Sequence, residues 1–322
     1  MLKLLLVAIW MAGDSTMCNY HPQKQYPQQG WGQALAEFMK DPAELHNWAV
    51  GGRSAKSFKV EGRWDKMMAE VKPGDYVVVA FGHNDANKAK KERYSTPEDY
   101  KEIMRGYAAD VKAKGANMIF ATSIIHSGGV NVNKETGIVD SVRGGAAGIG
   151  PYAKATIELA NELNLPCVDL NKLAVDKFTG MKGADVYKLY MRIKPGEYKR
   201  LPNGQSDGCH IRDTGAFFYA KGFVDYCYEH KLGVCEFLKD PATVEHKVVG
   251  FEGPGSEVKI RDDFSKEEIA YANAPEKKKE IEPWQKEILQ LRREGRSKGM
   301  SDKEAQAWAA KEYRKRHADD KK

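Results

Sequence analysis

Apolar residues are concentrated in short runs, of which the first, LLLVAIWMA, occupies residues 4–12. A run that is apolar at every position is typical of a parallel strand that is buried on both faces. Similar runs occur at residues 77–81 (VVVAF) and 118–121 (MIFA), and a mixed one at residues 167–170 (CVDL). The pattern therefore predicts a series of buried strands in the first half of the chain.

Helical signals lie between and after these strands. Thr96 and Pro97 fit an N-cap followed by proline at the first helical position, and they predict a helix to about residue 114. Residues 151–163 and 214–229 carry apolar residues at helical spacing. Strands that alternate with helices favour parallel crossovers. We therefore predict an α/β fold, a three-layer α/β/α sandwich with a parallel, flavodoxin-like sheet, whose site lies beyond the carboxyl ends of the strands.

Two segments interrupt this alternation. Residues 126–150 are rich in glycine, and residues 180–206 contain several tyrosines and prolines, and neither shows a clear period. Long loops without secondary structure are uncommon unless they are functional. We therefore expect both segments to be irregular loops at the active-site face.

The composition changes after about residue 240. Roughly 44% of residues 241–322 are charged, with both signs mixed, which is typical of a solvated helical or partly disordered segment. Helices are predicted at residues 283–293 and 301–316, the second with a capping box between Ser301 and Glu304. The sequence thus predicts a domain at residues 1–240 and a charged, mostly helical C-terminal extension at residues 241–322, dispensable for chemistry.

Charge and composition exclude several classes of function. The chain of 322 residues carries a formal net charge of +6, and its basic residues are interleaved with nearly as many acidic ones, so nucleic acid is not an expected partner. No apolar run reaches the length of roughly 18–20 residues that spans a membrane. HExxH, paired CxxC and phosphate-loop motifs are absent, so we expect no metal and no cofactor. The oligomeric state stays open.

The N-terminus and the cysteines each leave alternatives open. The basic start and the apolar run at residues 4–12 resemble a secretory signal, but cleavage there would remove the first strand. We therefore interpret the run as core, and expect either secretion or a periplasmic location through a signal further upstream, or a cytoplasmic protein. Five cysteines leave at least one unpaired. Free buried thiols are favoured over a Cys227–Cys235 bridge, and Cys18 and Cys209 are expected to lie close together.

Four polar motifs follow in order: GDST at residues 13–16, GGRS at 51–54, GHND at 82–85 and DGCH at 207–210. Ester hydrolysis through serine needs a nucleophile, a base, a group that orients the base, and donors for the oxyanion. Ser15, at the end of the first strand, is the candidate nucleophile. Asp207, three positions before His210, can reach its Nδ1–H and fix the tautomer, so His210 is the candidate base. The motifs together indicate a serine hydrolase.

The order of these motifs resembles the SGNH (GDSL-type) hydrolase family and, within it, the rhamnogalacturonan acetylesterase branch. The resemblance covers about residues 1–240. The matching stretches are AGDST at 12–16, GWGQ at 30–33, AVGGRSAKSF at 49–58, GRWD at 62–65, VKPGDYVVVAFGHND at 71–85, KPGEY at 194–198 and DGCHIRDTGA at 207–216.

The resemblance implies roles for particular residues. Ser15, Asp207 and His210 would form the catalytic triad, and the backbone N–H groups of Ser15 and Gly52 with the side-chain amide of Asn84 would form the oxyanion hole. Cys209 departs from the threonine or other small residue that is frequent at this position in the branch. The implied activity is a serine esterase that removes O-acetyl groups from a plant cell-wall polysaccharide, with rhamnogalacturonan or pectin preferred.

Other activities remain open at this point. A xylan or general carbohydrate acetylesterase, or a GDSL lipase-type esterase, would use the same triad. A non-catalytic binding protein on an inactivated scaffold is disfavoured, because no triad residue is missing.

Residues 181–205 run directly into the DGCH motif and are rich in basic side chains. We expect this segment to form a wall of the cleft and to attract an acetylated, anionic polysaccharide. The expected substrate-binding residues are His126, Tyr190, Arg192 and Arg200.

Overall fold

The computed structural model describes residues 7–22, 24–198, 200–246, 287, 290–291, 294–295 and 297–316. The chain divides into two compact units, Met1–Asn273 and Ala274–Lys322. The boundary after residue 240 stays a prediction, because residues 247–286 and the predicted helix at 283–293 lie wholly or largely outside the described residues. In the second unit the helix Asp302–Arg316 begins at the predicted capping box, in which the Ser301 backbone N–H donates to Glu304 and the Glu304 N–H donates to the Ser301 hydroxyl.

A five-stranded parallel sheet forms the centre of the first unit. The strands are β1 (Ile9–Gly13), β2 (Leu45–Asn47), β3 (Tyr76–Ala80), β4 (Asn117–Ala121) and β7 (Cys167–Val168). They lie in the order β2-β1-β3-β4-β7. This order is that of a flavodoxin-like sheet, which confirms the predicted fold class. A strand was expected before Gly52 without a stated range, and it is the edge strand β2, which is short and only half-buried.

Alternate residues of the central strands pack against opposite layers. Ile9 and Met11 of β1 belong to one hydrophobic cluster, whereas Trp10 and Ala12 belong to the other. All five residues of β1 are buried, because helices cover both faces of the sheet. The unbroken apolar run that predicted this strand follows from that double burial.

Helices form the two outer layers. Packed against one face are α1 (Trp31–Ala34), α6 (Leu170–Phe178) and α8 (Asp213–Glu229). Against the other face are α2 (Ala55–Val60), α3 (Arg63–Glu70), α4 (Pro97–Ala113) and α5 (Gly150–Leu163). Helix α4 begins as predicted, with the Thr96 side chain accepting a hydrogen bond from Asp99 N–H. No helix among the described residues is long and apolar enough to cross a membrane.

The two segments expected to be irregular loops contain regular structure, so that expectation was wrong. Within residues 126–150, β5 (Val130–Val132) pairs antiparallel with β6 (Val139–Val142). Within residues 180–206, α7 (Gly183–Tyr187) is followed by β8 (Tyr190–Ile193), which pairs antiparallel with β9 (Gln205–Ile211). Strands β5, β6 and β8 have only three or four residues, which is too short to show a period of two, so the sequence pattern missed them.

The cysteines are all free thiols, as favoured from the sequence. Cys227 and Cys235 are therefore not bridged. Burial raises the pKa of the Cys18 thiol to about 11, so this side chain stays protonated near neutral pH.

His246 joins the last described turn of the first unit to its core. Its Nδ1 lies 3.5 Å from Glu37 Oε1 and its Nε2 lies 3.8 Å from Asp213 Oδ2, and its ring packs 4.7 Å from that of Phe217. Burial opposes the charge, but the two carboxylates outweigh it and raise the pKa of His246 to about 9. The protonated imidazolium therefore stabilises the packing of residues 241–246 on this unit.

The thermal stability of the first unit should depend on pH through His246. A raised pKa gives stability that is complete below about pH 6.5 and is lost as the pH rises through about 9. His246→Gln should lower the melting temperature by about 2–4 °C at pH 6, and the difference from the unmodified chain should shrink by pH 10. Thermal unfolding across this range is the measurement, with His230→Gln as the surface-histidine control. A difference that is independent of pH would contradict the ion-pair interpretation.

Candidate active site

The carboxyl ends of β1 and β3 carry the GDST and GHND motifs. Strand β1 has β2 on one side and β3 on the other, so the connections leave it in opposite directions and create a switch point. Ser15 lies two residues after the end of β1, and Asn84 lies four residues after the end of β3. The sheet therefore brings these two side chains to one crevice.

Ser15, His210 and Asp207 form a continuous chain of hydrogen bonds. His210 Nε2 lies 2.9 Å from Ser15 Oγ, and His210 Nδ1 lies 2.6 Å from Asp207 Oδ2. The second oxygen of Asp207 accepts the backbone N–H groups of Cys209 and His210, at 2.8 and 3.1 Å. One carboxylate thus shapes its own turn and orients the imidazole, which is the geometry that activates a serine nucleophile.

The surroundings of these hydrogen bonds make the His210 imidazole more basic. Burial disfavours the charged form of His210, but the hydrogen bond and charge of Asp207 outweigh burial and raise the pKa of the imidazole. Burial likewise opposes ionisation of Asp207, yet its hydrogen bonds to His210 and Cys209 hold its pKa well below the usual range. Asp207 therefore stays ionised while His210 exchanges its proton.

Two neighbours hold the nucleophile turn. Asp14 Oδ1 accepts the Thr16 backbone N–H and hydroxyl, each at 2.8 Å. The Tyr20 hydroxyl donates to the Ser15 carbonyl oxygen at 2.7 Å. Sequence analysis did not identify Tyr20, because no motif marks a tyrosine that reaches back across a loop.

The turn that carries Gly52 lies against Ser15, since a Cβ on Gly51 would be 3.7 Å from Ser15 Cβ. In the part of the chain that the structure describes, the backbone N–H groups of Ser15 and Gly52 have no protein acceptor. Gly52 has a φ of +78°, a conformation that glycine adopts without strain. Asn84 Nδ2 donates to the Arg53 carbonyl at 3.0 Å, which fixes the amide and leaves its second hydrogen available. The binding of an oxyanion by these three groups stays a prediction.

Other polar residues of the motifs have structural partners. Buried Asp85 accepts the Ala55 N–H at 3.0 Å and so fixes the start of α2. His83 Nδ1 lies 3.5 Å from Cys209 Sγ, which links the GHND and DGCH motifs. Burial lowers the pKa of His83, so its ring is neutral when His210 titrates.

His126 lies beside the triad loop. Its Nδ1 accepts the Gly128 N–H at 2.9 Å, and burial lowers the pKa of its ring. A Cβ on Gly208 would lie 2.7 Å from His126 Cε1 and 2.7 Å from Ser127 Oγ. Glycine at position 208 therefore permits this close packing next to His210.

The other expected substrate-binding residues are differently placed. Tyr190 is fully buried, with its hydroxyl bonded to the Ile125 carbonyl and to Tyr219, so its ring presents no face to a sugar. Arg192 donates to Ser127 Oγ at 2.8 Å. Arg200 donates to the Tyr26 carbonyl at 3.0 Å, so it ties the 181–205 segment to an earlier loop.

Arg212 anchors the hairpin that carries the triad. Its side chain is 6% exposed, and it donates to the carbonyls of Tyr190 and Arg192 and to the Glu197 carboxylate. It follows β9 directly, and its own carbonyl accepts the Ala216 N–H in the first turn of α8. The sequence placed Arg212 in a matched stretch without assigning it a role.

A metal site is not apparent in the described ranges, where no group of three or more His, Cys, Asp or Glu side chains is arranged to hold an ion.

The sequence profile of the GDSL-like Lipase/Acylhydrolase family matches residues 11–191, which is more than half of the chain. The chain is 29% identical over 240 residues to the rhamnogalacturonan acetylesterase RhgT of Bacillus subtilis (strain 168), covering 74% of this chain and 97% of RhgT. It is 31% identical over 217 residues to the probable rhamnogalacturonan acetylesterase YesY of the same organism, covering 66% of this chain and 88% of YesY. A crystal structure of YxiM from B. subtilis matches with a TM-score of 0.58 and 30% identity, covering 70% of this chain and 57% of that chain.

The pH dependence of ester hydrolysis tests the role of His210. The neutral imidazole is the base, so the rate should fall as the pH drops through its pKa, which Asp207 raises above the ordinary value of about 6.5. Asp207→Asn removes the hydrogen bond and the charge that raise this pKa most and leaves burial opposed only by the charge of Asp14. The acid limb of kcat/KM on an aryl acetate should therefore move to lower pH, with a large loss of rate. His230→Gln is the control. An acid limb that does not move in Asp207→Asn would contradict this assignment.

Proposed function

The chain belongs to the GDSL-like lipase/acylhydrolase family and is therefore a carboxylic ester hydrolase, and on that premise we propose that it is a serine esterase that removes O-acetyl groups from a plant cell-wall polysaccharide, most specifically rhamnogalacturonan. The observation that carries this proposal is the hydrogen-bonded chain from Asp207 through His210 to Ser15. The names of RhgT and YesY, which this chain matches over most of their lengths, support the acetylated pectic substrate.

In the acylation step, Ser15 Oγ attacks the acetyl carbonyl carbon while His210 Nε2 accepts its proton. The tetrahedral oxyanion is bound by the N–H groups of Ser15 and Gly52 and by the Asn84 amide. Because these donors are already oriented, they stabilise the developing charge with little reorganisation. Collapse of the intermediate breaks the bond to the sugar oxygen, which leaves as a hydroxyl after taking the proton from His210.

In the deacylation step, water replaces the sugar. His210 removes a proton from the water, whose oxygen attacks the acetyl carbonyl, and the same three donors bind the second oxyanion. Collapse returns the proton to Ser15 and releases acetate. Asp207 stays ionised throughout and stabilises the imidazolium.

The surroundings of the triad support a small acyl group on a polar alcohol. Tyr20, His126 and Ser127 lie around the reacting serine or the triad loop, and each carries a polar group. A lipase that binds a long acyl chain would need an apolar channel at this place.

The nucleophile is tested by Ser15→Ala. The variant should keep the fold and lose at least about three orders of magnitude in turnover on aryl acetates, because no other group replaces the hydroxyl. Ser141→Ala, which changes an exposed serine of β6, is the matched control and should retain full activity. Rapid mixing should trap an acetylated peptide containing Ser15. Turnover above a few per cent in purified Ser15→Ala would overturn the assignment.

The substrate is tested with two polymers. Acetate release should be several-fold faster on acetylated rhamnogalacturonan than on acetylxylan, because the basic side chains around the site attract an anionic chain. The difference should narrow at high ionic strength, where exposed charges are screened. Equal rates at low salt would leave a general carbohydrate acetylesterase.

A further inference from the structure

A guanidinium group lies directly against the oxyanion site. Arg93 is at the end of the loop that follows the GHND motif, and its side chain is 34% exposed. A Cβ placed on Gly52 would lie 3.2 Å from Arg93 Nη1, 3.5 Å from Cζ and 3.6 Å from Nη2. The flat end of Arg93 therefore occupies the space beside Gly52 that a side chain would otherwise fill.

Arg93 makes few contacts of its own in this position. Its Nη1 is 3.5 Å from Asn84 Oδ1, a long hydrogen bond, and its Nε is 3.7 Å from a carboxylate oxygen of Glu92, whose side chain is 63% exposed. A guanidinium has five N–H donors in a rigid fork. Within the described part of the chain, most donors of Arg93 are therefore left for a ligand.

The other arginines at this face differ from Arg93. Arg200 donates to backbone carbonyls of the loop before α1, and Arg192 donates to Ser127 Oγ and lies 4.9 Å from the centre of the Tyr187 ring. Both hold the 181–205 segment in place. Arg93 instead lies against Gly52 and Asn84, the residues expected to bind the reacting carbonyl.

We propose that Arg93 is a specificity-determining residue that binds a carboxylate of the substrate, on the sugar that carries the acetyl group or on its neighbour. This inference rests on the proposed function and names the residue that selects a uronate. The fork matches the two oxygens of a carboxylate, and contact with Gly52 already restricts the side chain, so less entropy is lost on binding. Bound in this way, the uronate holds its acetyl carbonyl against Gly52 and Asn84.

Arg93 also contacts Asn84, so a variant can alter the rate on every ester. The informative quantity is therefore a ratio, namely kcat/KM on acetylated rhamnogalacturonan oligosaccharides with free carboxylates over kcat/KM on the same material with methyl-esterified carboxyl groups. Arg93→Gln should lower this ratio by about 10- to 100-fold, the range expected for a charge-assisted hydrogen-bonded pair. Arg93→Lys, which keeps a point charge without the fork, should give an intermediate ratio. Lys91→Gln removes the same charge from an exposed position of the same loop and should keep the ratio within about twofold.

A second readout does not need an acetylated sugar. Free galacturonate should inhibit aryl acetate hydrolysis competitively, and Arg93→Gln should weaken this inhibition about tenfold, whereas galactose should inhibit both proteins alike. An unchanged ratio together with unchanged inhibition by galacturonate would overturn the role of Arg93. An enzyme that hydrolyses aryl acetate and is inhibited through Arg93, but releases no acetate from any acetylated sugar, would overturn the proposed function and leave the carboxylate site standing.

Discussion

The hydrogen bond between His210 Nε2 and Ser15 Oγ joins residues 195 positions apart, and the remainder of the site depends on it. Ser15 is fixed by the central strand β1, whereas His210 lies on the β8–β9 hairpin, which is not part of the main sheet. The hairpin must therefore be held rigidly against the sheet. Buried Arg212 makes the hairpin itself rigid, because it follows β9 and donates to carbonyls of β8. Tyr190 attaches the hairpin to the segment after β4 by donating to the Ile125 carbonyl. A site that tolerates little displacement thus rests on a small sheet supported by buried polar contacts.

The absence of a side chain matters at two points of this site. Gly208 lets His126 and Ser127 approach the turn between Asp207 and His210. Gly52 leaves a face that the Arg93 guanidinium covers. At the first point the missing Cβ permits close packing of the turn that carries Asp207 and His210. At the second it leaves room for the guanidinium that we propose selects the substrate.

Burial and neighbouring carboxylates shift the pKa values of the histidines near Ser15 in different directions. Desolvation lowers the pKa of His83 and of His126, so both are neutral when the enzyme works. Only His210 has a carboxylate close enough to reverse this effect. Asp207 in turn keeps its charge because it accepts hydrogen bonds from the base and from its own turn. Contact with Asp207 thus distinguishes His210, the proposed base, from the other two histidines of this cluster.

The sequence by itself determined the α/β class and the set of candidate catalytic groups. A strand buried on both faces appears as a continuous apolar run, and the GDST and GHND motifs directly follow two such runs. Only the tertiary structure decided what lies around them. Tyr190 was expected at the cleft and is core, and the segments taken for loops are short hairpins, since three or four residues carry no readable period. Tyr20 and Arg93 contact the site through side chains that cross between loops. No local pattern encodes such contacts, because they depend on where distant backbone segments meet.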